Sequence, residues 1–349
     1  SRIIGRRFKL VHVFNRSELI EVATFRSGEI SSNDGELVKD QSGKIIRDNI
    51  WGNLDQDTYR RDFTVNALYY CPKTKKIIGH KDGMRDIHKK IIVSIGDPRK
   101  RFSEDPVRSL RAIRFSNKLK FKIDTKIKDA IYEKGHLLSS ISNARIFDEF
   151  CKMFLSGMAE KNFNKLNSFG LSKFLITTEP EQNEFTRKLI TESLRNTDKR
   201  LTNNQSVTPG FLLAALLWPQ LIEKCSMKGD INLRKFFRSM DPILRSQQRI
   251  TAIPRKFHSY IKDIWVLQLK LHSRIGKQPY KTLKHPRFRA AYDFMLIREK
   301  SSGETKSLGK WWTDFQKNDE NLKKSLISSL KEKSQHESFK TFGFSQELR

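Results

Sequence analysis

The sequence predicts an α+β protein in which a small sheet-containing amino-terminal part is followed by a long, all-helical region. Up to about Ile95, apolar residues alternate with polar ones in short β-branched runs, the period of strands, and from Ser103 onward they recur every three or four residues, as on helices buried along one face. A length of 349 residues adds the expectation of more than one domain, since single domains commonly hold about 100–200 residues.

Taken in order, "FKLVHV" (Phe8 to Val13) and "LIEVATFR" (Leu19 to Arg26) read as two antiparallel strands joined by the turn "FNRSE". Ser27 to Lys44, rich in Gly, Ser, Asn and Asp, is expected to be a long mobile loop. A helix carrying "RRDFTVNALYY" (Arg60 to Tyr70) is expected next, then a hairpin-like stretch, "KKIIGHKDGMRDIHKKIIVSI", with the strands ending near Ile95. "SEDPVRSLRAIRFSNKL", "DTKIKDAIYEKGHLL", "NARIFDEFCKMFLSG" and most later segments predict amphipathic helices. From Glu299 to Lys340 the chain is mostly Ser, Lys and Glu around the apolar patch "SLGKWWTDFQ", and its end is expected to fray. There is no internal repeat.

Sixty-eight Lys and Arg against thirty-nine Asp and Glu leave a net charge of +29. Such a field concentrates polyanions at the surface, so RNA or DNA is the expected partner, although an ordinary basic, solvated surface has the same composition. With 37% hydrophobic and 31% charged residues the chain reads as soluble and globular. No window approaches the ~18 apolar residues of a membrane helix, which sets aside a membrane-spanning helical protein. Cys71, Cys151 and Cys225 lie far apart without a CxxC or Cys/His pairing, which fits a reducing, intracellular compartment rather than a zinc knuckle or a disulfide framework. The chain opens at Ser1 with neither Met nor a charged-then-apolar leader, and this start reads as a cut.

Three stretches carry candidate chemistry. On a helix, Asp62 and Asn66 of "RRDFTVNALYY" stand at i and i+4 and share a face, with Arg61 adjacent. A carboxylate accepts from ribose hydroxyls, an amide both donates and accepts, and a guanidinium binds phosphate or holds a carboxylate by its planar fork. The same pattern also suits an ordinary first helical turn, with Asp62 at the positive end of the dipole. In "SEDPVRSLRAIRF", Ser103 can cap a helix and Pro106 fits its first turn, where Glu104 and Asp105 are electrostatically favoured. Asp105, Arg108 and Arg111 then step by three into a row able to hydrogen-bond a base edge, or into a salt-bridged surface. In "IEVATFR", Glu21 alternates among apolar neighbours, and it reads either as a metal ligand or as a cross-strand ion pair. Further on, "NLRKFFRSM", "AIPRKFHSYIKDIW" and "KTLKHPRFRAAYDF" interleave Lys and Arg with aromatic residues, as a track for single-stranded RNA would, or as core aromatics beside basic faces.

In this order, the pieces resemble the class II nucleotidyltransferases of the DNA polymerase beta superfamily, the family of tRNA CCA-adding enzymes and bacterial poly(A) polymerases. "RRDFTVNALYY" is similar to the family's RRDxxxN motif, "EDPVRSLRAIRF" to its EDxxRxxR motif, and "IEVATFR" to the strand bearing its third carboxylate. "NARIFDEFCKMFLSG" resembles its next helical motif, in which Arg145 and Glu149 would brace the nucleotide-binding helices. "IIGRRFKLVHV", "LIEVATFR", "RDNIWGN", "KHPRFRAAYDFMLIR" and "KWWTDFQ" are similar to the poly(A) polymerase branch, and the resemblance runs out to about Gln316.

The resemblance implies a polymerase-beta-like head, a small mixed sheet with helices, expected to be truncated at its amino terminus, over 1–98. It implies neck helices for nucleotide and base recognition over 99–160, a helical body and RNA-binding region over 161–320, and a polar, flexible tail over 321–349. It also implies that Asp62 and Asn66 contact the ribose of incoming ATP, with Arg61 near its phosphates. Glu104, Asp105, Arg108 and Arg111 would sit at the base and phosphates and favour adenine, and Glu21 would be a catalytic, Mg2+-binding carboxylate. The implied reaction is attack of an RNA 3′-hydroxyl, of mRNA, small RNA or tRNA, on the ATP α-phosphate in a bacterial cytoplasm. A CCA-adding activity and a non-catalytic RNA-binding relative are the alternatives.

Two departures accompany this. The family's DxxGG hinge appears as "GHKDGMRD", with Gly79 in place of its Asp and Asp82 in place of its first Gly. The family's GGxVRD phosphate loop and DxD metal pair belong upstream of these segments and have no counterpart here, since "GRRF" is not a Gly-Gly loop and Asp55 to Asp57 ("DQD") precedes RRD directly. With two of three metal carboxylates missing, the span alone is expected to bind RNA and to polymerise poorly.

Overall fold

The computed structural model describes residues 1–4, 10–16, 18–27, 52–227, 230–302, 307–317 and 319–334. The chain forms two compact units, Ser1–Leu137 and Leu138–Arg349.

In the first unit, β1 (Arg2–Ile4), β2 (Leu10–Asn15) and β3 (Glu18–Val22) make an antiparallel sheet in that order. Its register sets Val11 opposite Val22, His12 opposite Glu21 and Val13 opposite Ile20. The expected hairpin is present, but β3 stops at Val22 rather than Arg26. The loop expected from Ser27 to Lys44 lies, beyond Ser27, outside the described residues.

The helix expected to carry "RRDFTVNALYY" does not form. Helix α1 (Leu54–Tyr59) is fixed at its start by a reciprocal capping box between Asn53 and Gln56 and ends before the motif. Arg60 to Asp62 turn, Thr64–Asn66 form one 3₁₀ turn, and Leu68–Cys71 is a strand, β4. Tertiary pairing overrides the helical spacing here: Tyr69 and Tyr70 lie opposite Ile78 and Ile77 of β5 (Lys76–Gly79), aromatic against β-branched. Gly79 ends that strand at φ +128, and a Cβ there would collide with the Ala67 carbonyl, so the position where the family's hinge motif has Asp demands glycine here.

The stretch expected to be hairpin-like is instead strand, helix and strand: β5, then α2 (Gly83–His88), then β6 (Ile91–Ile92). β6 pairs in parallel with β7 (Lys122–Ile123), so strands continue past Ile95, in a ladder too short to leave an alternating pattern. The single helix expected from Ser103 is two helices, α3 (Pro98–Glu104) and α4 (Val107–Leu119). Asp97 caps α3, with Pro98 at its first position. Pro106 cannot continue a helix, and it drives Asp105 into extended backbone (φ −144, ψ 89). Ser103 therefore caps nothing; it lies inside α3 and donates its hydroxyl to the Arg99 carbonyl at 3.0 Å. Asp124 caps α5 (Thr125–Lys134), and Phe63, Ile92, Phe102, Leu110, Ile113 and Ile127 form the core of this unit.

Among the described residues, the regular structure of the second unit is helical except for the two-residue strands β8 (Ser226–Met227) and β9 (Asp230–Ile231). Its helices begin with α6 (Asn143–Phe154), α7 (Ala159–Ser168), α8 (Glu184–Thr202) and α9 (Pro209–Cys225). They continue with α10 (Leu233–Ile250), α11 (Arg255–His272), α12 (Gln278–Leu283), α13 (Phe288–Ser302), α14 (Ser307–Lys317) and α15 (Glu320–Ser334). The apolar run "FLLAALLW" makes α9 hydrophobic on every side, which requires a helix surrounded by others; α8, α10 and α11 pack around it. The Trp265 indole on α11 donates to the Ala214 carbonyl of α9 at 2.9 Å.

The tail expected to be flexible from 321 begins instead as α15. Leu326, Ile327 and Leu330 fall at helical spacing and pack on the cluster of Trp311, Trp312 and Phe315 from α14, which offsets the polarity of the other residues. The part of the tail beyond Ser334 lies outside the described residues.

Candidate nucleotide-binding site

The two motifs singled out in the sequence meet in the first unit. Asp62, at the end of the Arg60–Asp62 turn, accepts from its neighbour's backbone, Phe63 N, at 2.9 Å and from Asn66 Nδ2 at 3.0 Å through the same oxygen, Oδ1. Its other oxygen, Oδ2, faces Arg111 Nη1 of α4 at 3.7 Å. The pairing of Asp62 with Asn66 is therefore real, although a turn and a 3₁₀ step create it rather than an α-helix. Behind Asn66, Thr64 donates to the buried Asp86 of α2 at 2.8 Å, which ties the turn to the segment corresponding to the family's hinge. In that segment Asp82 bonds Arg85 at 2.9 Å.

The arginines of the turn point elsewhere. Arg60 and Arg61 both fold back onto Asp57 of α1, three and four residues earlier, Arg61 through Nη2 at 2.8 Å. Asp57 also accepts from the Tyr69 hydroxyl and, at 3.2 Å, from the backbone N–H of Arg26. Burial alone would raise the Asp57 carboxyl, but the bonds from Tyr69, Arg61, Arg60 and Arg26 outweigh it and hold the group well below the usual carboxylate range. Burial alone would likewise lower Arg61, and its bonds to Asp57 reverse that. The Arg61 side chain as a whole remains 39% exposed.

From the opposite side, Arg101 of α3 donates to the carbonyl oxygens of Arg60 (2.7 Å) and Arg61. These carbonyls follow the end of α1, where helical partners run out. Burial, then the neighbouring Arg108, lowers the Arg101 pKa, with Glu104 and Asp62 acting the other way. Arg108 Nη1 donates to the Arg101 carbonyl at 3.0 Å and lies 3.5 Å from Glu104 Oε2. Asp105 sits at the helix break, where its carboxylate accepts from Val107 N at 3.3 Å, so Asp105, Arg108 and Arg111 are not one helical row. Asp62 and Asn66 are thus brought together with Arg111, and Glu104 with Arg108 and Arg101, into a polar, mostly cationic surface suited to a sugar and phosphates.

Glu21 stands apart in kind. It lies opposite His12 on the sheet, 3.4 Å from its Nε2, and its side chain is 62% exposed. This is the cross-strand pair that the sequence left open as one reading. Among the described residues no three His, Cys, Asp or Glu gather to hold a metal ion. A single exposed carboxylate does not fit a site for two magnesium ions, each of which needs several oxygens at one point.

Asp57, Tyr69 and Arg101 were not singled out from the sequence. The D-x-x-R-R spacing of Asp57, Arg60 and Arg61 carried a signal, since i, i+3 and i+4 are neighbours on a helical turn. Tyr69 and Arg101 lie 12 residues and about 40 residues from their partners and left none.

Three family models match in order along the chain: "Poly A polymerase head domain" over residues 1–93, "Probable RNA and SrmB- binding site of polymerase A" over 120–186, and "Polymerase A arginine-rich C-terminus" over 229–341. Poly(A) polymerase I of Haemophilus influenzae is 37% identical over 93% of this chain and 75% of its own length. Poly(A) polymerase I of Escherichia coli O157:H7 is 36% identical over 95% and 74%. A CCA-adding enzyme of Lactobacillus johnsonii is 41% identical, but over 48% of this chain and 40% of its own. Among solved structures, a CCA-adding enzyme in its apo form II superposes with a TM-score of 0.59 over 99% of this chain and 80% of its own, at 19% identity. A tRNA-processing enzyme gives 0.58 over 94% and 83%, at 16%. These two likenesses show the fold. Identity above one third, sustained over nearly the whole chain and over three quarters of the Haemophilus relative, shows more: the chain belongs to the poly(A) polymerase I family.

Proposed function

We propose that the chain acts in template-independent addition of adenylate from ATP to RNA 3′ ends, a reaction that promotes RNA turnover. The RNA 3′-oxygen bonds to the α-phosphorus as the bond to pyrophosphate breaks. The observation that carries this reading is the meeting of Asp62 and Asn66 with Arg111 inside a chain that matches poly(A) polymerase I relatives almost end to end. The CCA-adding match spans under half of it.

In this reading Asp62 and Asn66 hold the ribose hydroxyls and Arg61 lies near the phosphates. Glu104, Asp105, Arg108 and Arg111 take the base and the phosphates and favour adenine. Residues 1–98 serve as head, 99–160 as neck and 161–320 as body, where the basic and aromatic segments of α10, α11 and α13 guide the RNA tail. Magnesium is the cofactor that the family's chemistry implies. Among the described residues Glu21 alone does not make its site, and in this reading the 349 residues by themselves are expected to bind RNA and to extend it poorly.

The test is extension of a short RNA with ATP or CTP supplied singly, by the chain alone and by protein that also carries the family's GGxVRD and DxD segment. A long ladder with ATP alone from the fuller protein supports polyadenylation. A few nucleotides added only with CTP and ATP together would make it a CCA-adding enzyme, and RNA binding without extension would make it a non-catalytic relative. A long ladder from the 349 residues would refute the expectation of poor extension.

A further inference from the structure

Among the described residues of this unit, one buried carboxylate with partners from four segments touches none of the groups proposed to meet the nucleotide's sugar or base. Asp57 has 2% of its side-chain surface exposed. Its two oxygens take Arg60, Arg61, the Tyr69 hydroxyl and the Arg26 N–H, drawn from a helix end, a turn, a strand and the segment following β3. The Phe25 ring meets Tyr69 edge-on at 5.6 Å, and Gly52 N donates to the Phe25 carbonyl at 2.9 Å, so the segment after β3 closes onto the same hub. On the far side Arg101 holds the Arg60 and Arg61 carbonyls. The turn is thus gripped by its side chains from α1 and by its backbone from α3, and the next residue along is Asp62.

We propose that Asp57 is a positioning residue for the nucleotide's ribose: by fixing Arg60, Arg61 and Tyr69 it sets the Arg60–Asp62 turn, and through it the carboxylate of Asp62 against Asn66. The inference rests on the reading of Asp62 and Asn66 as the ribose contacts. A carboxamide at position 57 keeps the size but loses the charge, and it brings an N–H₂ against two guanidiniums and a backbone N–H. The turn then loses its anchor while Asp62 and Asn66 themselves are unchanged.

The distinguishing readout is discrimination between ATP and 2′-deoxyATP, measured by ligand-observed NMR titration on the 349-residue chain and its Asp57→Asn and Tyr69→Phe variants. The wild type is expected to favour ATP. Asp57→Asn is expected to lower that preference about tenfold, the weight of one charge-assisted hydrogen bond, and Tyr69→Phe to lower it by a smaller factor. A merely structural role would reduce the melting temperature and leave the ratio as it was, and an unchanged ratio in both folded variants would overturn the proposal. If Asp57→Asn does not fold, the ratio in Tyr69→Phe decides. A wild type that binds ATP and 2′-deoxyATP alike would instead remove the ribose reading of Asp62 and Asn66, a failure separable from that of Asp57.

Discussion

Buried ionisable residues in this chain are stabilised by their partners to very different extents, and pH exposes the difference. Asp57 is held ionised by four donors, so its contribution is complete above the unfolded carboxylate range and is lost only in strong acid. His272, at the end of α11, is the opposite case. Burial, then Arg298 and Arg274, pulls its pKa down to about 4. Below about pH 6.5 the unfolded chain takes up a proton that the folded chain refuses, so stability falls as pH drops from there toward 4, by about 3 kcal/mol in all. His272→Gln should flatten this part of the profile in urea unfolding followed between pH 7 and 4. An unchanged slope would place the acid sensitivity in another group.

Among the elements, the short β4–β5 hairpin matters more than its four-residue strands suggest, because it carries Tyr69 to Asp57 and ends at the segment pinned to the 3₁₀ turn of Asn66. Gly79 is its tightest point. Gly79→Ala would impose a side chain on φ +128 against the Ala67 carbonyl, and a loss of at least about 2 kcal/mol is expected in chemical denaturation. A loss within a few tenths of a kcal/mol would mean that the hairpin relaxes freely. The hairpin also accounts for the strand that stands where the motif's spacing predicts a helix. "RRDFTVNALYY" has helical spacing, but its two tyrosines gain cross-strand partners that no helix would supply.

At the scale of the whole molecule, the dominant fact is a charge of +29. If basic faces guide RNA, affinity for a single-stranded oligonucleotide should fall about a hundredfold between about 50 and about 200 mM salt, the change expected when roughly five phosphates are neutralised. A flat response, read by fluorescence anisotropy, would remove the RNA track and leave the charge as ordinary surface.

By itself the sequence determined the class of fold, the strong positive charge and the residues of the two motifs, because these depend on composition and on spacings within a dozen residues, and the family followed from the resemblance those motifs carry. Ile95 and Ser103 bracket the change from strand period to helix period, and α3 begins between them, at Pro98. Only the tertiary structure decided that α1 stops before Arg60, that Pro106 splits the helix expected from Ser103 at Asp105, that Arg111 comes to Asp62, and that Asp57, Tyr69 and Arg101 hold the turn between them. It also decided that Ile327 packs into a core of tryptophans where a frayed tail was expected. The reason is the same each time. A local pattern fixes which face a side chain would take if its element formed, whereas burial and pairing with distant residues fix which element forms.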